Sequence, residues 1–479
     1  MNPLAILPFA AGAHGGRIDG MPAAQLVSAG VTLLQRSAPL VRALRGRRVA
    51  ILLPTSPAFL VALAASEGRG AVLVNPLAAP PEIDHQLRDA NVGAVLTVAA
   101  LATRLPAGTP HALLDDAPRA ARVVVDGATT EVDLGSHFGI DLSGESDVEG
   151  RDEEAVIVYT SAMAGRPLGA VLTHRNLLAN VRSVVGTLGY GPESRLLAAL
   201  PFSHLFGLVV TGIAPLVGGG QVTTMGRFNP LKAVELLESE GITALIGVPA
   251  MFAGLVAALE RRGRPLAAER LGLCISGGAP LAVELQERWR EVSGVVLRQG
   301  YGLTEAGPVC LMNDPARPNR PGTLGGAIPG VEVEIRPPLD AGAPDAPLPA
   351  GAVGEICVRG ANVFRGYVSG GDAGLPVVGG WLRTGDLGAR DADGFVTFRG
   401  VKKSMFTRNG FNIYPREIEL AVEELPGVRR AAVRAIPDPS RENDIALEVD
   451  GAVREADVKA WCDARLSAYK QPSEISIRS

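Results

Sequence analysis

The segment 156–174 (VIVYTSAMAGRPLGAVLTH) combines residue types that can surround a phosphate group. An apolar, β-rich run, 156–159, leads into Thr160 and Ser161 and then into a turn rich in alanine, glycine and proline. A second apolar run follows, and a helix starts near His174. Because glycine lets the backbone take positive φ and approach a phosphate closely, this pattern predicts a strand–loop–strand phosphate cradle.

A second candidate binding segment, 276–280, has the sequence SGGAP and follows a predicted strand at 271–276. Glycines at the end of a strand let the backbone approach a flat ligand closely. Ligands of α/β sheets bind at the carboxyl ends of the strands. Taken alone, the segment is better explained as the turn of an ordinary strand–turn–helix unit. A ligand-binding role is inferred only from the position of the segment within the ordered series of motifs.

Three more segments complete an ordered series. The segment 299–305 (QGYGLTE) brings a tyrosine, a threonine and a glutamate close together between glycines, and 381–386 (WLRTGD) ends in an aspartate. The segment 201–207 (PFSHLFG) contains His204, and a lone histidine is by itself most often a satisfied structural residue. The order of the segments is more specific than any one of them.

In this order the segments resemble the signature blocks of the AMP-forming adenylating enzymes, the superfamily of acyl-CoA synthetases, peptide-synthetase adenylation domains and beetle luciferases. The family's phosphate loop has the approximate sequence Tyr-Thr-Ser-Gly-Thr-Thr-Gly-x-Pro-Lys-Gly. The resemblance implies an α/β fold, with a large N-terminal domain of layered α/β subdomains plus a β subdomain, followed by a small mobile α+β domain. The residues that keep the frame of the loop are Tyr159, Thr160, Ser161, Gly165, Pro167 and Gly169.

The resemblance also implies a role for each matching residue of a site for ATP or AMP. Tyr301 would stack on adenine, the Thr304 hydroxyl would contact the α-phosphate, and Glu305 would bind Mg²⁺. Mg²⁺ usually takes one or two carboxylates together with phosphates. Asp386 would accept from both ribose hydroxyls, as an acceptor-only group can. The predicted nucleotide-binding residues are Thr160, Ser161, Gly165, Ser276, Gly277, Gly278, Ala279, Pro280, Gly300, Tyr301, Gly302, Thr304, Asp386 and Arg399.

The acyl site and the hinge are implied in the same way. In the family, a histidine or aromatic residue of the block 201–207 lines the pocket of the acyl carboxylate, which places His204 beside that carboxylate. Lys403 falls at the hinge about which the small domain rotates between the two half-reactions. The predicted catalytic residues are Thr304, Glu305, His204 and Lys403. The predicted substrate pocket comprises Phe202, His204, Phe206, Gly207, Val248, Gly278 and Gly302.

Three positions that are cationic in the family differ in this sequence. Leu168 replaces the loop lysine, and Val401 replaces the arginine that usually binds ribose. Arg399 precedes Val401 by two residues, so regular strand alternation would put both on one face and let Arg399 substitute. A Pro-x-x-x-x-Gly-Lys loop is expected after 469–472, whereas this sequence ends at Ser479. Because adenylation joins two anions, one missing donor typically costs about 10²–10³ in rate.

Three functions therefore stay open at this stage. The first is an AMP-forming ligase that activates a carboxylic acid with ATP and transfers the acyl group to CoA or to the phosphopantetheine of a carrier protein. The second is an altered relative that binds AMP or an acyl-adenylate but adenylates poorly or uses another acceptor. The third, a scaffold without a nucleotide, is opposed by the intact segment 299–305. The candidate pocket segments are small and apolar, which favours an acyl or aryl carboxylate over an amino acid.

Composition sets outer limits on these functions. The chain has 479 residues, a net charge of −4, 47% hydrophobic residues and four widely spaced cysteines. The charge gives no reason to expect nucleic acid as a partner, and the cysteine spacing matches neither a zinc site nor a disulfide framework. The sequence contains no signal-peptide pattern and no apolar run of the length of a membrane span. We expect a cytoplasmic protein.

The elements that would position these residues alternate in a βα manner, which indicates parallel sheets covered on both faces. The predicted strands are 49–53, 71–74, 94–98, 196–200, 244–248 and 271–276, and the predicted helices are 58–68, 80–90, 231–240, 250–260 and 281–292. After about residue 320, strands replace long helices, at 331–336, 354–359 and 394–398. The predicted domains are 1–400, with a β-rich subdomain at about 320–400, and 401–479, which begins with a helix at 415–424.

Overall fold

The computed structural model describes residues 15–66, 70–115, 119–135, 152–160, 167–341, 344–369, 376–401, 406–438 and 440–478. Within these residues the chain forms two nine-stranded sheets, a five-stranded sheet and two smaller sheets, of two and three strands. Helices connect most of the strands of the two large sheets. The predicted α/β fold class is confirmed.

The first sheet is parallel at its centre and antiparallel at its edges. Its central strands, such as Arg48–Leu52 (RVAIL), are almost entirely apolar because helices cover both faces of a parallel sheet. In spatial order its strands are Gly366–Tyr367, Leu168–Thr173, Glu154–Thr160, Ala71–Leu73, Arg48–Leu52, Val92–Thr97, His111–Leu114, Ala120–Val125 and Ala128–Asp133. The run from Glu154–Thr160 to His111–Leu114 is parallel, and the remaining pairs are antiparallel.

The second sheet has the same mixed character. In spatial order its strands are Gly326–Ala327, Val309–Met312, Leu297–Gly302, Leu273–Ser276, Ala244–Gly247, Arg195–Ala198, Gln221–Thr224, Arg17–Ile18 and Met21–Pro22. The strands from Leu297–Gly302 to Arg17–Ile18 run parallel, whereas both ends are antiparallel. The prediction of parallel sheets is therefore right for the two centres and incomplete at the edges, where strands joined by short turns add to the sheet.

The helices are bounded by local signals in the sequence. Thr173 and Asn176 form a reciprocal capping box at the start of His174–Leu188, and Gly189 ends that helix with a φ of 66°. A Cβ at Gly30 would lie 2.3 Å from the carbonyl oxygen of Val61, so glycine there lets two helices pack closely. The α-helices are Ala23–Arg36, Ala38–Ala43, Ala58–Ala65, Pro80–Asp89, Ala99–Ala102, His174–Leu188, Ala214–Val217, Pro230–Ser239, Pro249–Arg262, Val283–Ser293, Pro415–Glu423 and Glu455–Arg465. A π-helix spans Phe206–Ile213, and 3₁₀ turns span Thr304–Ala306, Leu339–Ala341 and Ala468–Lys470.

The rest of the chain forms the five-stranded sheet and a C-terminal unit with its own core. The five-stranded sheet comprises Val331–Arg336, Val353–Gly360, Val377–Val378, Trp381–Arg390 and Val396–Val401. In the C-terminal unit, residues 406–478, the hairpin Phe406–Arg408/Phe411–Ile413 precedes a sheet of Val428–Asp438, Glu442–Gly451 and Glu474–Arg478. A separate apolar cluster that includes Ile418 and Leu447 lies in this unit. The division at residue 400 stays a prediction.

The local predictions differ from the observed elements mainly at their ends. The predicted helix 231–240 is Pro230–Ser239, and the predicted strand 331–336 is Val331–Arg336. The predicted strand 394–398 is displaced to Val396–Val401. Both strands of the predicted phosphate cradle are present and antiparallel, as Glu154–Thr160 and Leu168–Thr173. The loop between them lies outside the described residues.

Candidate active site

Glu305 lies at the point where three segments of the chain meet. The strand Leu297–Gly302 leads into the short 3₁₀ turn Thr304–Ala306, which buries Glu305 to 6% exposure. Its carboxylate Oε1 accepts hydrogen bonds from the hydroxyls of Thr160, at 3.0 Å, and Tyr367, at 2.9 Å. The predicted metal ligand and the first hydroxyl of the phosphate cradle are therefore in direct contact, although 145 residues separate them.

The turn that carries Glu305 depends on a close backbone contact at Gly302. A Cβ on Gly302 would lie 1.8 Å from the carbonyl oxygen of Pro308, which is too close for any side chain. The chain reverses here into the antiparallel strand Val309–Met312. Gly302 is thus needed to fold the turn. Gly300 has more room, because its Cβ would meet the Met312 methyl at 3.4 Å.

Tyr301 and Asp386 form the second pair of predicted residues that the fold brings together. The Tyr301 hydroxyl donates to Asp386 Oδ2 at 2.7 Å. Asp386 lies on the strand Trp381–Arg390 of the five-stranded sheet, opposite Val401. Burial and the neighbouring Asp386 carboxylate raise the pKa of Tyr301 well above its usual value, so the phenol stays a donor. This contact connects the 299–305 segment to the β-rich part of the chain.

The segment Ser276–Pro280 lies at the carboxyl end of the strand Leu273–Ser276, as predicted for a ligand-binding turn. Gly278 has a φ of 77° and is exposed, whereas Ser276 is fully buried. A Cβ on Gly277 would lie 3.0 Å from the Phe206 ring, and one on Gly278 would lie 3.5 Å from the Val248 side chain. Ala279 and Pro280 complete the turn. The structure thus brings together the predicted adenine wall and part of the predicted acyl pocket.

Phe202 and Gly207 contribute to packing at the edge of this pocket. The Phe202 ring is 3% exposed and meets Phe59 edge-on, with 5.7 Å between ring centroids. A Cβ on Gly207 would lie 2.2 Å from the Pro201 carbonyl oxygen, so glycine permits the tight start of the π-helix. Of the two phenylalanines in the 201–207 block, Phe206 is the one beside the Ser276–Pro280 turn.

Among the described residues, His204 contacts the polar side chain of Asn75 and the aromatic ring of Phe411. Its Nε2 lies 3.4 Å from Asn75 Nδ2, and its ring lies 5.7 Å from the ring of Phe411. Burial lowers the pKa of His204 to about 4, so the imidazole is neutral at pH 7. The sequence analysis missed Asn75, Tyr367 and Phe411. Asn75 follows the predicted strand 71–74, and position at a strand end was the available signal.

The C-terminal unit contacts the predicted pocket through the tip of its hairpin. Gly410 has a φ of 76°, and a Cβ there would lie 2.7 Å from the Val248 side chain. The backbone N–H of Gly410 donates to Glu442 Oε2 at 3.3 Å. Next along the hairpin, Phe411 stacks on Tyr469 with ring centroids 4.4 Å apart. The hairpin therefore places backbone and an aromatic ring directly against residues of the acyl pocket.

A buried ionic cluster joins the C-terminal unit to the first sheet layer. The ammonium of Lys470 pairs with Glu82 at 2.7 Å and with Glu417, and Ser467 also donates to Glu82. Burial opposes the charge, but the neighbouring Tyr469, Glu417 and Glu82 raise the pKa of Lys470 above its usual value. Glu82 in turn accepts from the backbone N–H of Ala79 at the start of the helix Pro80–Asp89. The cluster thus connects elements that are far apart in the chain.

Arg399, which was predicted to substitute for the ribose-binding arginine, does not lie where regular strand alternation would put it. Leu387 pairs with Gly400, while Gly388 pairs with Phe398, so Arg399 is the extra residue of a β-bulge. Arg399 is exposed. The bulge interrupts the two-residue repeat between Arg399 and Val401, and the same-face inference is therefore wrong. Its nucleotide-binding role stays a prediction without that support.

The remaining residues of the predicted phosphate-binding side are either placed away from a phosphate role or lie outside the described residues. Leu168 pairs with Thr160 at the mouth of the cradle, so an apolar side chain occupies the position of the family's lysine. Arg408 is buried and pairs with Asp444 at 2.7 Å, which commits it to the C-terminal unit. Ser161, Gly165 and Lys403 lie outside the described residues.

The oxygen-rich surroundings of Glu305 suit Mg²⁺ better than a transition metal. A buried carboxylate beside two hydroxyl oxygens is a hard donor set, and Mg²⁺ usually completes such a site with phosphate oxygens and water. In the part of the chain that the structure describes, there is no cluster of three or more histidine, cysteine, aspartate or glutamate residues that would hold a metal by itself. The residues fit a metal that arrives with a phosphate ligand.

Comparison with known proteins agrees with this geometry. The model of the AMP-binding enzyme family matches residues 39–368. A feruloyl-CoA synthase of Amycolatopsis sp is 34% identical over 451 residues, covering 90% of this chain and 85% of the relative. A malonyl-CoA ligase in a ternary product complex with methylmalonyl-CoA and AMP has a TM-score of 0.77 and 29% identity, covering 100% of this chain and 99% of that one. An amide bond synthetase of Marinactinospora thermotolerans has a TM-score of 0.80 and 26% identity, covering 99% of this chain and 95% of that one.

The fold and the ordered site residues thus define an adenylate-forming enzyme of two domains. The chain belongs to the AMP-binding enzyme family. Within that family its relatives include CoA ligases, and it is an AMP-forming acid–thiol ligase. ATP or AMP and CoA are substrates of this ligase family, and its named relatives act on carboxylic acids. None of the described helices is long and apolar enough to cross a membrane.

Proposed function

We propose that this ligase activates an uncharged acyl or aryl carboxylic acid at a site formed by Thr160, Tyr301, Glu305 and Asp386. The observation that carries the proposal is the pairing of these residues, Thr160 with Glu305 and Tyr301 with Asp386, across three sheets of the fold. Residues that are 145 and 85 positions apart in the chain meet as hydrogen-bonded pairs. Titratable and hydroxyl side chains that meet in this way from distant segments are candidates for a binding site.

In the first step, a carboxylate oxygen of the acid attacks the α-phosphorus of ATP, a new O–P bond forms, and pyrophosphate leaves. Thr304 would donate to the α-phosphate, and Asp386 would accept from the ribose hydroxyls. Glu305 would hold Mg²⁺, which neutralises phosphate charge when bound. Tyr301, whose raised pKa keeps it protonated, fixes the orientation of the Asp386 carboxylate.

In the second step, a thiol sulfur attacks the acyl carbonyl, the C–S bond forms, the thiol proton passes to solvent, and AMP leaves with the electrons of the C–O bond. We propose CoA or a carrier-protein phosphopantetheine as the source of that thiol. The hairpin tip supports a role of the C-terminal unit in this step, because Gly410 and Phe411 contact the residues of the acyl pocket. Rotation about a hinge at Lys403 would separate the two steps in time.

The chemistry of the pocket supports an acid without a second charge. Phe206, Val248 and Gly277 contribute apolar surface, and the neighbouring His204 is neutral at pH 7. A charged group on the distal end of the acid would lose its hydration without gaining a partner from these residues. The four cysteines are buried and unpaired, which supports a reducing compartment and hence the cytoplasm.

A second function is favoured by the cationic positions that this sequence lacks. Leu168 and Val401 replace a lysine and an arginine on the phosphate–ribose side, and each missing donor typically costs about 10²–10³ in rate. The chain would then bind AMP or an acyl-adenylate, adenylate slowly, and pass the acyl group to another acceptor. The likeness to an amide bond synthetase makes an amine the first such acceptor to test.

The test is an assay of pyrophosphate release with ATP, Mg²⁺ and a panel of aliphatic and aromatic carboxylic acids, each with CoA, with a loaded carrier protein, with an amine, and without acceptor. We expect acid-dependent release that Glu305→Gln abolishes and that the exposed control Glu287→Gln leaves unchanged. Release that requires an amine, or tight binding of a non-hydrolysable acyl-adenylate without ATP turnover, would favour the second function. Absence of both release and adenylate binding would refute the two together.

A further inference from the structure

The orientation of the Asn75 side chain is settled by its neighbours. Its Oδ1 accepts from the backbone N–H of Leu77 at 2.9 Å, so its Nδ2 is the end that faces His204 Nε2 at 3.4 Å. A flipped amide would put N–H donors against the N–H of Leu77, which has nothing to accept with. Towards the histidine, Asn75 is therefore a donor.

A donor at this position determines which nitrogen of His204 carries the proton. Nε2 has to accept from Asn75, so the proton of the neutral ring lies on Nδ1. If Nε2 carried a proton, its N–H would point at the N–H of the Asn75 amide, and two donors would face each other without an acceptor. Among the described residues Nδ1 has no hydrogen-bond partner, which leaves its N–H available to a ligand.

We propose that Asn75 is a positioning residue, which holds His204 as the neutral Nδ1–H tautomer so that the ring offers one uncharged donor to an oxygen of the acyl substrate. The Phe411 ring is the aromatic neighbour of the imidazole, with 5.7 Å between the ring centroids. This inference rests on the proposed function, in which His204 lies beside the acyl group.

The neutral state has a chemical reason. The substrate carboxylate is the nucleophile of the first step, and it loses its negative charge as the O–P bond forms. An imidazolium would stabilise the charged ground state more than the transition state and would slow the attack. A neutral N–H orients an oxygen at a smaller cost in nucleophilicity.

No charged side chain contacts His204 among the residues that the structure describes. Asn75 lies in the loop after the strand Ala71–Leu73 and Phe411 lies in the hairpin, and both side chains are uncharged. Burial lowers the pKa of the ring, and no charged group among the described residues shifts it further. The tautomer is thus decided by the amide of Asn75.

The test is nitrogen NMR of the full chain labelled with ¹⁵N-histidine, which contains six histidines. The signals of His204 are assigned as those lost in His204→Gln. We expect a protonated Nδ1 and an unprotonated Nε2 from about pH 8 to about pH 5. In Asn75→Asp, a carboxylate oxygen replaces the donor, so Nε2 should become protonated and the ring should titrate above its ordinary pKa. A wild-type ring protonated at Nε2, or an unchanged tautomer in Asn75→Asp, overturns the inference.

Steady-state kinetics supply the second readout. Asn75→Asp should lower kcat by about ten-fold or more at pH 7 and introduce a new titration in the pH profile. The reason is that the carboxylate would stabilise a protonated His204, which presents a charged donor to the substrate in place of a neutral one. Asn75→Leu, of similar size, should lower kcat without a new titration. If no acid is activated by the wild-type protein, the proposed function fails while the NMR result still decides the tautomer. If activity is found and both variants keep the wild-type pH profile, the positioning role is refuted.

Discussion

The buried cluster around Lys470 should hold the C-terminal unit in its observed position. The Lys470 side chain is 7% exposed, and its partners Glu82 and Glu417 are 14% and 8% exposed. Glu82 belongs to the helix Pro80–Asp89, whereas Glu417 and Lys470 belong to the C-terminal unit. Replacement of Lys470 by methionine keeps the length of the side chain but leaves two carboxylates that face each other without the ammonium.

The magnitude follows from the burial of the three groups. Removal of one partner of a buried ion pair typically costs about 3–5 kcal/mol, because the remaining charge stays desolvated. A local cost of about 3 kcal/mol corresponds to an opening equilibrium about a hundred-fold more favourable. Because the pKa of Lys470 is raised in the folded state, this stabilisation is complete below about pH 10 and does not vary near neutrality.

Hydrogen–deuterium exchange of the full chain, followed by mass spectrometry, measures this opening. In Lys470→Met we expect faster exchange in Pro415–Glu423 and Glu455–Arg465, and no change in the strand Arg48–Leu52. Lys459→Met is the matched control, because Lys459 is 65% exposed and its pair with Asp463 is a surface pair worth at most about 1 kcal/mol.

Glu82→Gln and Glu417→Gln separate docking from local folding. Glu82→Gln should loosen the contact of the C-terminal unit with the first sheet layer and leave the interior of the unit protected. Glu417→Gln should raise exchange within the unit itself. Exchange in Lys470→Met that stays within about two-fold of Lys459→Met would refute the reasoning, since that corresponds to less than about 0.5 kcal/mol.

Three further predictions test other parts of the site. Because burial lowers the pKa of His204 to about 4, the unfolded state binds an extra proton as the pH falls from about 6.5. Up to about 3 kcal/mol of the free energy of unfolding should therefore be lost by pH 4. Urea unfolding measured against pH should show a smaller loss in His204→Gln. Gly302→Ala should cost more than about 4 kcal/mol, because its Cβ would meet the Pro308 carbonyl oxygen at 1.8 Å. Gly186→Ala, a helix position with nothing within 4 Å, should instead stabilise by about 0.5–1 kcal/mol. Leu168→Lys should raise acid-dependent pyrophosphate release by about ten-fold or more if a cation at the cradle is what limits adenylation; an unchanged rate would locate the limit elsewhere.

Local elements were predictable wherever one short stretch of sequence carries the whole signal. The alternation in VEVEIR specifies the strand Val331–Arg336, and Thr173 with Asn176 specifies a helix start. The order of the signature segments was also readable, and it was sufficient for the family. These features depend on neighbours within a few residues, which is the range over which propensity and capping act.

Contacts between distant segments were not predictable in the same way. The 201–207 block contains two phenylalanines of the same type, and only packing against Phe59 and Gly277 decides which one lies in the core and which one reaches the ligand turn. The bulge at Arg399 arises from pairing with Leu387 and Gly388, and a single strand carries no sign of its partner's register.

The sequence by itself determined the class of this enzyme, the order of its motifs and the main strands and helices at the centres of the two large sheets. The tertiary structure alone decided that Thr160 and Tyr367 donate to Glu305, that Asn75 donates to His204, and that Phe411 covers the histidine ring. The physical reason is that a hydrogen bond needs two atoms within about 3.5 Å, and sequence separation says nothing about that distance once sheets and helices pack.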